Sequence, residues 1–320
     1  MGYDFLFQKV KIGFRLDKEM TRVTIGMPVF NDKIFLEESL RSILGQTFSD
    51  FQLVISDDCS SDGSAEICRQ YAAMDPRITY IRQPKNLGIS RNMEFLLAQA
   101  TTTYFMWAGD DDVYDPRFIE KHVEGLDKNP NAVSAFGSVA LIDEQGSTLT
   151  GNLAMDYSEP NRFKRLKNFI KNSTDYFGYG MFRREAIQGV KFPVWWWPNK
   201  KSAYNNIYPS LCFYLAKGDY VHIDGLPLFF KRVKTGSNNP HHLTGKGNAI
   251  KETFAFWIRK FNLVLFATKM IRKGSGFNLA MKLLPVMLYF WFVMPSFNQL
   301  CLASKSFWKN RVLGRRQIFK

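Results

Sequence analysis

Three adjacent aspartates, Asp110, Asp111 and Asp112, follow the apolar run "TTYFMWA" at residues 102–108, separated from it only by Gly109. Neighbouring carboxylates repel each other, and the repulsion grows where burial removes water. Such a cluster is therefore stable only if water solvates it or a cation neutralises it. Carboxylate oxygens are the ligands that Mg²⁺ and Mn²⁺ prefer, so the triplet is a candidate metal site. The alternative is a solvated cluster that caps a helix, although a cap requires only one acid.

The spacing of apolar residues predicts the elements that position these acids. Apolar runs predict strands at residues 22–28, 51–56, 77–82, 102–108 and 131–143. Helical spacing predicts helices at residues 33–45 and 86–100, and helices that begin near residues 60 and 115. This alternation is typical of an α/β protein with a doubly wound, mainly parallel, Rossmann-like sheet.

Ligands of such sheets bind beyond the carboxyl ends of the strands. Asp57 and Asp58 end the second predicted strand, and Asp110–Asp112 end the fourth. We therefore expect both acidic clusters to face one crevice, which favours the metal interpretation of the triplet.

The pattern is looser in the next part of the chain. It predicts a strand or turn that leads into a helix at residues 176–187, a helix within 192–218, and two short strands within 219–233. Residues 235–248 are predicted to form a polar loop.

Most of the net charge of +14 belongs to the end of the chain. From residue 251 onward there are thirteen basic residues and one acid, whereas the first 250 residues carry only +2. Within this basic region, residues 283–304 have no charge and are long enough to span a bilayer, although Pro285 and Pro295 interrupt them. Flanking basic residues suit a helix that lies in an anionic membrane surface. The alternative is an amphipathic helix packed on the rest of the protein.

We therefore expect residues 241–320 to form a basic, apolar helical extension at the cytoplasmic side of the inner or plasma membrane, in a peripheral or monotopic arrangement. No nucleic-acid partner is expected, since the basic residues are fused to an apolar stretch rather than interleaved with aromatics on a folded face. The four cysteines have no framework spacing and predict free thiols in a reducing compartment. The first residues do not predict a signal peptide.

Five motifs occur in order along the first 190 residues. They are "VTIGMPVFND", "LVISDDCSSDGS", "RQPKNLGISRN", "FMWAGDDDVYDPRFIE" and "GMFRREAI". Together they resemble glycosyltransferase family 2, with its GT-A fold, over roughly residues 22–235. The resemblance implies an inverting transferase that uses a nucleotide-diphosphate sugar and usually a divalent metal, Mn²⁺ or Mg²⁺.

The resemblance also implies a division of the chain. Residues 1–21 would be an N-terminal extension and residues 22–240 the GT-A domain. Within that domain, residues 22–140 would form the nucleotide-binding half and residues 141–240 the acceptor half. The basic extension, residues 241–320, would follow.

The resemblance assigns the metal to the acidic triplet, since a hard cation can bridge the diphosphate and stabilise its charge as the glycosidic bond breaks. Asp111 would be the main metal ligand. Asp110 and Asp112 would contact metal-bound water, the ribose or the donor sugar. The commonest spelling of the motif has an acid where Gly109 stands, so the roles within the triplet stay open.

Six residues would line the nucleotide pocket by the same resemblance: Pro28, Asn31, Asp57, Asp58, Gly88 and Arg91. A carboxylate at Asp58 could accept the uracil N3–H or the corresponding edge of another base. Asp57 could instead cap the next helix. The alternative for Arg91 is an ordinary arginine on a helix surface.

The general base is harder to assign. The family's acid would align with "KKSAYNNIYPSL", where Asn205 and Asn206 stand instead, and amides cannot act as bases. Asp175 and Asp156 are candidate substitutes. The pair His241–His242 could touch metal or diphosphate, or could simply belong to a polar loop.

Three tryptophans, Trp195, Trp196 and Trp197, are predicted near the acceptor, because indole faces stack well on sugar rings. They could equally pack under a loop or dip into lipid.

Two functions follow from the sequence. The first is a transferase acting on a glycan or polyprenyl-linked acceptor in bacterial surface polysaccharide synthesis, such as O-antigen or capsule. The second is a catalytically impaired nucleotide-sugar-binding protein at the membrane.

Overall fold

The structure is a computed structural model. It describes residues 21–154, 156–172, 174–192, 194–196, 203–205, 207–234 and 249–293. The N-terminal half contains β1 (Val23–Val29), α1 (Lys33–Leu44), β2 (Phe51–Asp57), α2 (Ser64–Met74), β3 (Ile78–Arg82), α3 (Ile89–Gln99), β4 (Tyr104–Trp107), β5 (Val113–Tyr114), α4 (Phe118–Lys128), β6 (Ala132–Phe136), β7 (Ser138–Ile142) and β8 (Thr148–Ala154). The remaining elements are α5 (Arg162–Asn172), a 3₁₀ turn (Tyr176–Tyr179), β9 (Met181–Arg183), α6 (Arg184–Ile187), β10 (Val194–Trp196), β11 (Ala203–Asn205), α7 (Tyr208–Lys217), β12 (Asp219–His222), β13 (Phe229–Arg232), α8 (Ala249–Ser275), α9 (Phe277–Met287) and a π-helical segment (Leu288–Val293).

A seven-stranded sheet forms the centre, with strand order β12-β6-β9-β4-β1-β2-β3. Its paired neighbours are parallel except at β9, which runs antiparallel to both β4 and β6. The predicted α/β architecture with a mainly parallel sheet is confirmed. A second sheet, in the order β5-β13-β7-β8, lies beside it.

The single strand predicted at residues 131–143 is wrong in one respect, because Gly137 divides it. The first part, β6, belongs to the seven-stranded sheet and the second, β7, to the four-stranded sheet. A Cβ atom at Gly137 would lie 2.4 Å from the carbonyl oxygen of Ile223, so only glycine lets that backbone cross here. The amide of Ile223 donates to the Phe136 carbonyl across 3.1 Å, which fixes the crossing.

The C-terminal helices pack on the domain through α7 and α5. Leu263, Ala267 and Ile271 of α8 are buried, as are Leu283 and Met287 of α9. The first half of the charge-free segment, residues 283–293, therefore packs on the rest of the protein, as the amphipathic-helix alternative predicted. Residues 294–304 lie outside the described residues. Across the described part of the chain, no helix combines the length and apolar character that a membrane crossing needs.

Tight packing at Gly26 fixes how closely α3 approaches the central sheet. A Cβ atom there would lie 2.9 Å from the Phe105 ring and 3.0 Å from the Leu96 Cβ atom. We expect Gly26→Val to lower the free energy of unfolding by about 1–3 kcal/mol through overpacking. Gly151→Val on the exposed strand β8 is the matched control, since a Cβ there meets no described atom within 4 Å. Denaturant titration measures both, and equal effects would contradict the packing explanation.

Candidate active site

Three carboxylates meet at the carboxyl-terminal edge of β1 and β4. These strands are parallel neighbours, so the residues that follow them share one edge of the sheet. Asp32 occupies the position before α1, just after β1, and Asp110 and Asp111 follow β4. One carboxylate oxygen from each of the three lies within 4.8 Å of the others. Three hard oxygen donors at this spacing fit a Mg²⁺ or Mn²⁺ ion.

Asp112 points in a different direction from its two neighbours. Its side chain is fully buried, and its Oδ2 atom accepts a hydrogen bond from Lys231 Nζ at 2.9 Å. Its Oδ1 atom accepts the backbone amide of Arg232 at 3.0 Å. A Cβ atom on Gly109 would lie 2.4 Å from Asp112 Oδ2, so glycine makes room for this carboxylate. This packing gives a physical reason for Gly109 in the motif, and it leaves Asp110 and Asp111 to group with Asp32.

Two lysines balance the charge of the acids: Lys231 in β13 and Lys234 just after it. Lys231 Nζ lies 3.7 Å from Asp111 Oδ1, and it also lies 4.7 Å from the centre of the Tyr179 ring. Lys234 Nζ pairs with the Asp32 carboxylate and lies 3.0 Å from Asp111 Oδ2. The protein's own ammonium groups therefore supply positive charge to the triplet, and Lys234 bridges two of the three candidate metal ligands.

Arg232 holds the backbone around the triplet. Its side chain is almost fully buried, and its Nε atom donates to the Asp111 carbonyl at 2.9 Å. The rest of the guanidinium donates to the Asp143 and Glu144 carbonyls at 2.9 and 3.1 Å and to Glu38 Oε2 at 2.5 Å. One side chain thus joins α1, the acidic loop and the turn after β7.

Crowding changes the proton affinity of the acids. Burial, followed by repulsion from Asp111 and Asp32, raises the pKa of Asp110 to about 8. Burial also raises the pKa of Asp112 to about 6, against the pull of the Lys231 ammonium. Burial alone would raise the pKa of Asp111, but Lys231 and Lys234 hold it below its usual value. Asp110 therefore retains a proton near neutral pH unless a further cation favours its ionised form.

The acidic pair after β2 anchors two loops. Asp58 is buried, and its two oxygens accept the backbone amides of Leu87 and Gly88 at 2.6 and 2.9 Å. Gly88 has a φ of 78°, which favours glycine. Asp57 is also buried, and it accepts the Ser60 amide at 2.8 Å. Asp58 thus ties β2 to the loop before α3, and Asp57 secures the loop before α2.

The other predicted nucleotide residues lie at the end of β1, in the loop after it, and on the surface of α3. Pro28 lies in β1 opposite Ser56, and the Asn31 Oδ1 atom accepts the Ser61 amide at 2.8 Å. Arg91 is half-exposed and donates to Glu94 of its own helix at 2.9 Å. Pro28 and Asn31 therefore lie at the edge that carries the acids, whereas the Arg91 side chain is paired along α3.

Of the two candidate bases, Asp175 shares a neighbour with the acidic triplet. It precedes the 3₁₀ turn that carries Tyr179. The Lys231 ammonium lowers the pKa of Tyr179, but burial and the charges of Asp112, Asp175 and Asp111 together raise it above its usual value. The charge of Asp175 and the charges of the triplet therefore both raise the pKa of the Tyr179 phenol.

Asp156 lies on the surface, and two of the three tryptophans belong to a separate two-stranded sheet. Asp156 is exposed and accepts the Ser158 amide at 2.8 Å. Trp195 and Trp196 belong to β10, which pairs with β11, and their backbone register partners there are Tyr204 and Ala203. Asn205 also belongs to β11. The remaining candidates, Trp197, Asn206, His241 and His242, lie outside the described residues.

Sequence reasoning missed four members of this site: Asp32, Lys231, Arg232 and Lys234. Asp32 was visible as the only acid directly after the first strand, in "VTIGMPVFND". The basic residues occur together in "FFKRVK" at the end of a short strand. No local pattern connects that strand with the triplet, from which Lys231 is 119 positions away in sequence.

The architecture is that of GT-A glycosyltransferases. A solved structure of this class, TarS of S. aureus in complex with UDP-GlcNAc, aligns with 79% of this chain and 71% of its own, at a TM-score of 0.52 and 13% identity. Such a likeness defines the fold.

The family model of glycosyl transferase family 2 matches residues 24–190, and the chain belongs to this family. The expectation of a glycosyltransferase is thereby confirmed at the level of the family. The GalNAc(5)-diNAcBac-PP-undecaprenol beta-1,3-glucosyltransferase of Campylobacter jejuni is 26% identical over 205 residues, which are 62% of this chain and 63% of that protein. Glycosyltransferase GlyA of Streptococcus pneumoniae is 33% identical over 99 residues, which are 31% of this chain and 14% of that protein. The chain thus spans less than two thirds of the length of these curated relatives.

The raised pKa of Asp110 predicts a pH-dependent stability change. Because this pKa of about 8 lies above the ordinary carboxyl value, the stability linked to the bound proton is full at acid pH and is lost as the pH rises through about 8. Asp110→Asn removes this loss. We therefore compare the thermal midpoints of Asp110→Asn and wild type in a chelating buffer. The difference, variant minus wild type, should grow by several degrees between about pH 5 and about pH 8.5.

Asp115→Asn is the matched control for this measurement. The Arg117 guanidinium holds the pKa of Asp115 below its usual range. The stability lost through Asp115→Asn should therefore be the same at both pH values. A difference between Asp110→Asn and wild type that stays constant with pH would contradict a pKa of Asp110 raised by burial and repulsion.

The Lys234 bridge predicts competition with a divalent cation. Lys234→Met should bind Mn²⁺ without nucleotide roughly fivefold more tightly than wild type, since a competing charge worth about 1 kcal/mol is removed. Isothermal titration with Mn²⁺ alone measures the change. Lys128→Met, which removes an exposed ammonium near Glu124, should leave the affinity unchanged. Weaker Mn²⁺ binding by Lys234→Met would refute competition.

Proposed function

We propose that this protein is a metal-dependent, inverting glycosyltransferase that moves a sugar from a nucleotide-diphosphate sugar to an acceptor hydroxyl. The observation that carries the proposal is the group of three carboxylate oxygens within 4.8 Å at the end of β1 and β4. Asp32, Asp110 and Asp111 would hold Mn²⁺ or Mg²⁺. Such an ion, when bound, neutralises the diphosphate leaving group. We assign to Asp112 the role of positioning these three carboxylates, through its bonds to β13.

Residues 22–140 are the proposed nucleotide-binding half. Each Asp58 oxygen accepts one backbone amide, which leaves further lone pairs for the edge of a base. Asp57 and Asn31 would keep the surrounding loop in place through their amide bonds. Gly88 would let the backbone pass close to the donor, with Pro28 and Arg91 as further members of the pocket.

Residues 141–240 are the proposed acceptor half. An inverting displacement needs a base opposite the leaving group. Asp175 is our candidate, because it precedes the 3₁₀ turn that carries Tyr179, and the Tyr179 ring lies 4.7 Å from the Lys231 Nζ atom beside the triplet. Tryptophans 195–197 are the proposed stacking surface for the acceptor sugar.

The proposed acceptor is a glycan hydroxyl, free or polyprenyl-linked, in bacterial surface polysaccharide synthesis such as that of O-antigen or capsule. The Campylobacter relative, whose name specifies an undecaprenol-linked substrate, supports this choice. The charge of the chain beyond residue 250 supports a peripheral or monotopic position on the cytoplasmic face of the membrane. Residues 241–320 would form that membrane-associated extension.

A second candidate is a protein that binds nucleotide sugars at the membrane but no longer transfers them. It is favoured by the amides at Asn205 and Asn206, where the family motif has an acid. Sugar transfer by the purified protein would exclude it. Nucleotide binding without transfer to any acceptor would support it.

The donor site is tested by the thermal shift of purified protein with UDP, GDP, dTDP and CMP, with and without Mn²⁺. We expect one nucleotide to stabilise the protein in the presence of Mn²⁺, by about 2.7 kcal/mol at a hundredfold excess over its Kd. Asp111→Asn should abolish this shift and the activity while the fold persists, since it removes a charged ligand. Asp115→Asn should retain both. An undiminished, metal-dependent shift with Asp111→Asn would refute the assigned role.

A further inference from the structure

Helix α8 is apolar on its outer face as well as its inner one. Ile258, Phe261 and Leu265 follow helical one-face spacing and expose 43%, 50% and 50% of their surface. On the inner face, Val264 and Ala267 are buried. A helix at a water-exposed surface ordinarily presents polar residues outward, so this outer stripe requires a partner of its own.

The helical segment that follows repeats the pattern. Phe277, Met281, Tyr289 and Val293 expose 58%, 42%, 56% and 50% of their surface, and Pro285 between them is also exposed. These five residues recur every fourth position, so they line one side of α9 and the π-helical segment. The opposite side packs inward, where Trp291 Nε1 donates to the Ile170 carbonyl at 2.9 Å. The outer stripe is therefore not an incompletely packed core.

The two stripes adjoin at the corner between α8 and α9. The Arg272 guanidinium lies 5.8 Å from the centre of the Phe277 ring there. We call the exposed apolar residues of 258–265 and 277–293, together with the cations at this corner, the C-terminal face.

The charge on this face has one sign. Lys269, Arg272, Lys273 and Lys282 are exposed at or near the corner. Between residues 249 and 293 the sequence contains seven basic residues and a single acid, Glu252. A groove of about 680 Å³ adjoins the corner, and Lys164 of α5 and Lys282 of α9 line it on facing elements. The surface thus combines exposed apolar side chains with cations.

We propose that the C-terminal face docks on an anionic lipid bilayer, with lipid phosphates held near Lys164 and Lys282. Apolar side chains enter the acyl boundary while cations meet the headgroups, which is the arrangement of helices that lie in an interface. The single sign of the charge favours an anionic membrane over a second copy of this basic chain. The inference rests on the membrane location proposed above and names the surface responsible for it.

The test is sedimentation of the full chain with lipid vesicles. Wild type should bind vesicles containing about 30% phosphatidylglycerol and bind pure phosphatidylcholine far more weakly, with added salt reducing the difference. The double variant Phe261→Ser, Leu265→Ser should reduce partitioning roughly tenfold or more, because two exposed apolar side chains no longer enter the membrane. Leu149→Ser with Leu226→Ser is the matched control, since these leucines are 54% and 78% exposed on other parts of the surface.

A second pair of variants tests the lipid phosphates. Lys164→Glu with Lys282→Glu should weaken binding to anionic vesicles and leave the weak binding to phosphatidylcholine unchanged. Bound vesicles should raise the thermal midpoint of the protein. Inorganic phosphate, at the same concentration as the lipid phosphate, should not. Stabilisation by inorganic phosphate alone would identify a free-phosphate site and overturn the lipid assignment.

The outcome can be separated from that of the transferase proposal. All variants should keep the nucleotide-dependent thermal shift, which also shows that they fold. Unchanged vesicle binding by the double serine variant would overturn the inference, whatever the transfer activity. Conversion of a wild-type dimer into a monomer by that variant, without a change in vesicle binding, would identify the face as a self-association surface and would also overturn it.

Discussion

The ion pair between the fully buried Asp112 and the partly exposed Lys231 is the interaction on which the arrangement of the site depends. A carboxylate removed from water is tolerated only when it is paired and its remaining polar atoms are satisfied. Asp112 meets this condition, since one oxygen takes the Lys231 ammonium and the other takes the Arg232 amide. The pair joins the end of β4 in the central sheet to β13 in the second sheet. It also removes one of three adjacent carboxylates from the crevice, so that only Asp110 and Asp111 face Asp32.

That division explains how three like charges can follow one another. Gly109 leaves the space into which Asp112 folds, and Arg232 holds the carbonyl of Asp111 from the other side. Burial, together with repulsion from Asp111 and Asp32, raises the pKa of Asp110 to about 8, even with Lys234 beside those two acids. The cluster therefore has excess negative charge that a divalent cation could neutralise. An acidic loop that was merely solvated would need neither the glycine nor the lysines.

The sequence predicted the parts of this molecule that depend on neighbours along the chain. Strands β1 to β4 and the helices between them follow from local apolar spacing, and the ends of β2 and β4 marked the acidic residues. Elements that depend on distant contacts were missed. The exposed strand β8 lacks an apolar alternation, and the division between β6 and β7 arises where the backbone of Ile223 crosses Gly137. Lys231 of β13 and Lys234 after it were missed for the same reason, because the antiparallel pairing of β13 with β5, which places Phe230 opposite Val113, brings them to the triplet.

The helical extension is coupled to the catalytic domain through buried contacts. Helix α8 packs on α7, and Trp291 bonds to α5. The two inner helices are joined in turn by Arg165, a fully buried side chain of α5 that donates to the carbonyls of Leu215 and Gly218 at the end of α7. A guanidinium in this position resists displacement, because moving it would leave several buried carbonyls without donors. A membrane bound by the C-terminal face would therefore be held at a fixed orientation to the central sheet. For an acceptor whose lipid end stays in the bilayer, that orientation would set how far its reactive hydroxyl must extend to reach the carboxylates.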